Sequence, residues 1–357
     1  AAQHLAVIEY PETFFDPTTL PGFAAFAVVV VAWDFAYYWQ HRFGHERLFF
    51  WGSHSAHHQS EDYNLSTALR QTSMGFLLVW IFDLPLFILG VPLETYVTAV
   101  AVNLIYQFWV HTQFIRRMPS WYEYIFVTPS NHRVHHAQND LYLDRNYGGI
   151  FILWDRLFGT FQDELDREPP VFGVRKPLRS WNPFLANVQV YAQMVRDSWH
   201  TRRWRDKVWV WLCRTGWRPA DVAARYPLEQ TDGRHLTKFD PPVSSGAARY
   251  GLVQFVLCVV AVSVLLLRAP SLSMTAALVA CVPVWLTLYS VALLNEQRGH
   301  ARAVEWLRLT VLAALAAAAS MIAPGALAWV IALTAPLYLL LSALWLARLT
   351  PAAVRAE

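Results

Sequence analysis

The stretch PGFAAFAVVVVAWDFAYYW, residues 21–39, is an apolar run that ends directly in the polar motif QHRFGH. It is close to the roughly 20 residues that an α-helix needs to cross the hydrocarbon core of a bilayer. A hydrophobic content of 55%, a mean hydropathy of +0.26 and only 15% charged residues are too apolar for an ordinary soluble domain. The chain is therefore read as a membrane protein.

A second apolar region, GFLLVWIFDLPLFILGVPLETYVTAVAVNLIYQFWV (residues 75–110), is too long for one pass. Gly90, Val91 and Pro92 punctuate it, so it reads as a hairpin. Further candidate spans cover residues 252–267, 272–294, 304–323 and 327–346, giving an all-α, polytopic helical bundle. The expected division is an N-terminal segment 1–20, a membrane core 21–161, a polar Arg- and Trp-rich segment 162–249, C-terminal membrane helices 250–347 and a tail 348–357. The chain does not begin with Met and shows no cleavable signal peptide, so missing upstream spans stay an open expectation.

Basic residues test this topology, because cytoplasmic loops hold the excess Lys and Arg. None precedes Arg42, the turns near Gly90 and Pro324 have none, and the loop at Pro270 has only the flanking Arg268. Arg42, Arg47, Arg70, Arg116, Arg117, Arg133, segment 162–249, Arg298 and Arg302 all fall on the opposite side, which is read as the cytosol. A net charge of +3 gives no case for nucleic acid. Cys213, Cys258 and Cys281 have no CxxC spacing and read as buried and inert.

The hairpin also brings the histidine groups to one membrane face: His41 and His45; His54, His57 and His58; His111; and His132, His135 and His136. Within HRFGH the spacing is i, i+4, and HSAHH and HRVHH each give i, i+3, i+4, which share one helix face. Asn103 and Gln107 form a polar stripe leading to His111, and Asp34, Tyr38, His41 and His45 share a face. A carboxylate inside a membrane is costly; Asp34 either orients an imidazole through its second nitrogen or makes an inter-helix hydrogen bond. His111 alone could instead cap an interfacial helix end. His4, His200, His235 and His300 lack this clustering and read as interfacial or satisfied residues.

Nine imidazoles are more than one ion can take, but two ions would have four or five nitrogen ligands each. Neutral imidazole suits Fe, Zn and Cu. Redox chemistry on lipid C–H bonds favours iron, while zinc hydrolysis stays open on ligand grounds. HERLF at His45 fails the HExxH pattern, no ExxH pair supports a carboxylate di-iron site, and GxSxG, P-loop and GxGxxG motifs are absent.

HRFGH, HSAHH and NHRVHH, in this order and separation, resemble the three histidine boxes of the membrane fatty acid hydroxylase and sterol desaturase superfamily. SEDYNLSTALRQ, QFWVHTQ, TPSNHRVHH, DRNYGG and WDRLFGTF are similar to its ether-lipid-cleaving branch, over about Asp34 to Phe161. The resemblance implies a di-iron centre ligated by the nine histidines, O2 as oxidant, Glu46 as a site residue and tetrahydrobiopterin as reductant. It also implies hydroxylation of the carbon beside an ether oxygen. One departure is Asn131, where the ether-lipid members carry another histidine. It leaves the superfamily intact and loosens the substrate and cofactor assignment.

Other reactions of the superfamily, on a sterol, fatty acid or carotenoid, form the nearest alternative. A membrane metal transporter or sensor is the alternative from another class, though its ligands would be spread along a pore. No fused cytochrome or ferredoxin signature appears, so electrons are expected from a soluble donor or a diffusible pterin. Segment 162–249 is available to cap the site, bind that donor or lie on anionic headgroups. The Ala- and Arg-rich composition points to a bacterial inner membrane, with the endoplasmic reticulum as the eukaryotic equivalent.

Overall fold

The computed structural model describes residues 12–16, 18–75, 79–322 and 325–349. His4, most of the expected N-terminal segment and most of the expected tail lie outside the described residues. Among those described, the regular elements are helical and extended pairing is limited to isolated bridges such as Phe126 with Phe151. Five helices are long and apolar enough to cross a bilayer, which makes this an integral membrane protein.

The first is α1 (Leu20–Glu46), opened by a Thr19 side chain that accepts from the Gly22 amide and by Pro21 in its first turn. Its 27 residues span about 40 Å, more than the hydrocarbon thickness, so its last turns carry His41 and His45 out toward the polar side. Short helices follow: α2 (Leu48–Gly52), α3 (Ser55–His58) and α4 (Leu65–Leu69), the last capped by Asn64 and Thr67.

The expected hairpin is made of α5 (Trp80–Ile88) and α6 (Leu93–Trp109), turned at Gly90, whose φ of 81° lies in the left-handed region that favours glycine. The Arg70 carbonyl and His111, on either side of this segment, both touch His57, so the chain leaves and returns to one spot. At nine residues, α5 rises only about 13 Å, less than the thickness of a bilayer's hydrocarbon core. Leu86, Val91 and Ala99 of the hairpin region bury against Val29 and Trp33 of α1, and Tyr96 donates to Asp83 across the turn at 2.8 Å.

Next come α7 (Ser120–Ile125), α8 (Pro129–His135) and α9 (Leu153–Phe158), which ends on Gly159 at φ 73°. The polar segment holds α10 (Pro183–His200), α11 (Trp204–Trp209) and α12 (Ala220–Arg225). The remaining long helices are α13 (Ser245–Arg268), α14 (Met274–Asn295), α15 (Ala301–Ile322) and α16 (Ala326–Arg348).

The chain divides into two compact units, one of residues 1–178 with 186–238 and one of residues 179–185 with 239–357. All nine clustered histidines belong to the first. In the second, α13 to α16 pack about Tyr250, Leu293, Leu294, Leu309 and Leu346.

Candidate metal centre

The histidine boxes sit on short, capped pieces of helix. His41 and His45 are one turn apart near the end of α1. The second box is a single turn: His54 is the N-cap of α3, and His57 and His58 close it. The third is α8, started by Pro129 and a capping box in which Thr128 and Asn131 exchange hydrogen bonds, with His136 as its C-cap. The i, i+3, i+4 spacing thus operates over single turns, and tertiary packing has to orient each one.

Folding gathers the histidines into two groups. His41, His45, His54, His58 and His135 form one, and His57, His111, His132 and His136 the other; within each, one nitrogen per ring lies within 4.8 Å of every other. Eight of the nine residues are buried, and His54 is half-buried. Ring nitrogens face one another: His54 Nε2 is 3.1 Å from His41 Nε2 and 3.0 Å from His58 Nε2. In the second group His111 Nε2 is 3.3 Å from His57 Nε2 and 3.0 Å from His132 Nε2, which is 3.2 Å from His136 Nε2. Metal–nitrogen bonds of about 2.0–2.1 Å put neighbouring ligand atoms roughly 3.0–3.4 Å apart, which is the spacing found here.

The proton positions sharpen this fit. His41 Nδ1 lies 2.8 Å from the Tyr147 carbonyl, His57 Nδ1 3.1 Å from Arg70, His111 Nδ1 2.8 Å from Gln107 and His135 Nδ1 3.0 Å from Arg145. A carbonyl oxygen only accepts, so each of these nitrogens carries the proton and each Nε2 keeps a bare lone pair. Burial, followed by the neighbouring His111, lowers His57 to about 3, and burial lowers His111 to about 4. Burial first and neighbouring imidazoles next also hold His54, His58, His132, His135 and His136 well below the usual imidazole value. His57 and His111 are neutral at pH 7, and their two lone pairs meet at 3.3 Å. That contact is repulsive unless a cation lies between them. Buried and unpartnered nitrogens of His45 and His135 add the same requirement in the other group.

The remaining expected site residues are placed one step away. Asp34 touches no histidine: its carboxylate accepts from Asn103 Nδ2 at 2.6 Å, the Ile150 and Phe151 amides at 2.7 and 3.1 Å, and Trp154 Nε1 at 2.9 Å. Of the two roles expected for Asp34, it makes the inter-helix hydrogen bond, to Asn103, and contacts no imidazole. It also pins the loop whose Tyr147 carbonyl orients His41. Gln107 donates to Asn103, accepts from Tyr37 at 2.8 Å and offers its carbonyl to His111. Asn131 is fully buried and serves the α8 capping box. Glu46, at the end of α1, pairs with Arg42 at 2.8 Å.

Several contributors had no signature in residue chemistry, because they act through backbone carbonyls. The loop 144–151 supplies two of them from a chain bent through left-handed φ at Asp144 (58°) and Asn146 (56°), which Asp and Asn tolerate better than most residues. Asp155 holds that loop by accepting from the Tyr147 and Gly148 amides, each at 2.8 Å. Tyr63, wholly buried, stacks on His111 and on Phe172. His45, His58, His135 and His136 also form part of the wall of a cavity of about 340 Å³ whose lining includes Lys176, Gln193, Trp217 and Arg218 of the later polar segment. Residues of the polar segment thus share this cavity wall with four of the histidines.

Comparisons with known proteins agree with this geometry. Residues 26–160 match the fatty acid hydroxylase family model. An alkylglycerol monooxygenase of Homo sapiens is 36% identical over 279 residues, covering 77% of this chain and 61% of that protein. One of Danio rerio is 36% identical over 284 residues, covering 78% of this chain and 62% of that protein. An ornithine lipid hydroxylase, OlsE, of Rhizobium tropici is 31% identical over 142 residues, covering 39% of this chain and 43% of that protein. The chain therefore spans somewhat under two thirds of the alkylglycerol monooxygenases, and no solved structure matches it significantly. Residues 26–160, which match the fatty acid hydroxylase family model, contain all nine clustered histidines.

Proposed function

We propose that this protein is a membrane di-iron monooxygenase that hydroxylates an ether lipid beside the ether oxygen, releasing an aldehyde and a glycerol derivative. The observation that carries it is the pair of buried imidazole groups, five and four, with bare nitrogens turned inward. The alkylglycerol monooxygenases to which three quarters of the chain aligns support the substrate class. In the overall balance one atom of O2 enters the C–H bond and the other leaves as water, with two electrons and two protons taken from the donor. The hydroxylated carbon, now a hemiacetal, collapses to the aldehyde and a free hydroxyl. We assign reduced tetrahydrobiopterin as the donor and the cytosol as the side on which the centre opens.

Two iron ions, when bound, supply the redox chemistry that activates O2. His41, His45, His54, His58 and His135 would hold one and His57, His111, His132 and His136 the other. The protein's part is orientation: the carbonyls of Tyr147, Arg70, Gln107 and Arg145 keep a proton on Nδ1 of their histidines and turn each Nε2 inward. Trp51, with ring centroids 5.3 Å from His45 and 5.6 Å from His58, shields that edge from water. The apolar faces of α1 and the hairpin offer the alkyl chain a path from the bilayer.

Metal analysis of the purified protein, together with aldehyde release from an alkylglycerol under O2 and reduced pterin, tests this. Two irons per chain and pterin-dependent aldehyde are expected, with His135→Ala losing metal and turnover together. Two irons with no turnover of the alkylglycerol would sink the ether-lipid assignment, and a protein that binds no iron would sink the enzyme reading altogether.

A further inference from the structure

Helix α10 carries two apolar faces, and only one of them is buried. Val190 and Met194 turn inward against Leu48, Val210 and Cys213. On the other side Val188, Val195 and Trp199, at i, i+7 and i+11, line one exposed face. Helix α11 repeats the pattern: Trp204 and Val208, one turn apart, are both exposed, as is Leu212 just beyond its end. Trp199 and Trp204 are each 80% exposed, and two such indoles in a patch of valine and leucine do not make a surface suited to water.

The turn joining the two helices is locked. Lys207 Nζ donates to the carbonyls of Ser198 and Trp199 at 2.7 and 3.1 Å, satisfying the end of α10, and lies 5.7 Å from the centroid of the Trp204 ring. Trp211 Nε1 donates to Ser198 Oγ at 3.0 Å, and Ser198 Oγ donates to the Lys207 carbonyl at 2.8 Å. One ammonium thus ties the backbone of Trp199 to the ring of Trp204, so both indoles are displayed at the same turn. The chain after α11 is bound to the end of α1. The Leu48 amide donates to the Cys213 carbonyl at 3.1 Å, and Thr215 donates through its amide to the Glu46 carbonyl at 3.3 Å and through its hydroxyl to that of His45. The hairpin is therefore tethered where α1 leaves the apolar layer.

Basic side chains accompany the apolar ones. Arg196, Arg202, Arg203 and Arg205 are exposed and make no ion pair among the described residues. The acids of residues 195–212 are Asp197, which accepts from Arg218 at 2.7 and 2.8 Å, and the half-buried Asp206. Asp221, which approaches from α12, accepts from the Thr201 hydroxyl at 3.0 Å and the Arg202 amide at 2.9 Å. Tryptophan with arginine on amphipathic helices is the composition of surfaces that lie in the headgroup layer of a bilayer. We propose that the α10–α11 hairpin is a membrane-docking surface: Trp199, Trp204 and Val208 enter the interface of the bilayer, and Arg196, Arg202, Arg203 and Arg205 bind the phosphates of anionic phospholipids. This surface lies outside the proposed reaction and does not depend on it.

A polarity-sensitive fluorophore attached at Val208→Cys, in a Cys281→Ala background of the full chain in nanodiscs, tests this; Cys213 and Cys258 are buried and escape the label. Brominated phosphatidylcholine serves as the quencher within the bilayer and acrylamide as the quencher in water. The label is expected to be blue-shifted, to be quenched by the brominated lipid, and to be quenched more strongly as phosphatidylglycerol is added. A basic side chain near an anionic surface is worth roughly fivefold in affinity. Arg202→Gln with Arg203→Gln and Arg205→Gln should therefore raise the phosphatidylglycerol content needed for half-maximal quenching more than about fivefold. High salt should act in the same direction. Quenching by acrylamide alone overturns the proposal, since the face would then lie in water. A label reached by neither quencher overturns it in favour of a second copy or another protein covering the face. Equal lipid quenching in neutral and anionic discs overturns it too, because the arginines would then recognise no headgroup.

Discussion

A buried imidazole is a liability in acid, and this centre concentrates eight of them. His57 and His111 titrate near 3 and 4, against about 6.5 in an unfolded chain. Between those values the unfolded chain binds more protons than the folded one. Their contribution to stability is therefore complete above about pH 6.5 and is lost as pH falls toward 4. Asp144 and Asp155, each raised by burial to about 6, work in the other direction over part of that window. They are two carboxyls against several imidazoles, so the histidines decide the sign. Metal-free protein should lose more than about 5 °C of apparent melting temperature between pH 7 and pH 5. A flat profile by differential scanning fluorimetry would show that the rings are already protonated, and with that the lone-pair argument for metal would fail.

At the level of elements, the centre depends on a loop that contributes no ligand side chain. Residues 144–151 deliver carbonyls to His41 and His135, and Asp34 and Asp155 hold the loop by its amides. Gly149 sits so close to this anchorage that a Cβ would lie 2.6 Å from Asp34 Oδ1 and 2.9 Å from the Asn103 amide. Gly149→Ala should therefore push the loop off its anchor, costing about 1–3 kcal/mol of stability. It should also weaken metal binding by about 10–100-fold, the effect typical of disturbing groups that orient ligands. Metal titration monitored alongside thermal melting checks both; unchanged affinity would mean that the Tyr147 and Arg145 carbonyls do not control the histidines. The spacing within each box could be read from the sequence because it is local. The loop's role could not, since a backbone carbonyl has no residue-specific signature and its partner His41 lies 106 positions away from Tyr147.

For the molecule as a whole, the second unit shows how a membrane bundle fixes one arrangement. Glu305 and Arg308, both buried on α15, pair with each other, and the network around them draws on every helix of the unit. Tyr250 of α13 and Ser290 of α14 donate to Glu305, while Arg308 donates to Gln254 of α13 at 2.9 Å, Thr287 of α14 at 3.2 Å and Tyr338 of α16 at 3.0 Å. Removing one charge leaves the other stranded in a low-dielectric interior, at a cost of about 3–5 kcal/mol. Glu305→Gln should lower the apparent melting temperature in detergent, and Glu305→Gln with Arg308→Met should recover much of the loss. Equal losses in the single and double variants would mean that the pair is not coupled.

The apolar runs and the histidine spacings are properties of short stretches, so the sequence by itself determined the membrane-embedded helical class and nominated all nine histidines. Even the hairpin's turn at Gly90 was visible, because a break in an apolar run is also local. What only the tertiary structure decided is which histidine joins which group, that α5 is a helix of only nine residues, and that Asp34 acts on the loop and not on a ring. It also decided which ring nitrogen carries the proton. Each of these depends on contacts between residues far apart in the chain, whose energies arise only when α1, the hairpin, α8 and the loop 144–151 are packed together.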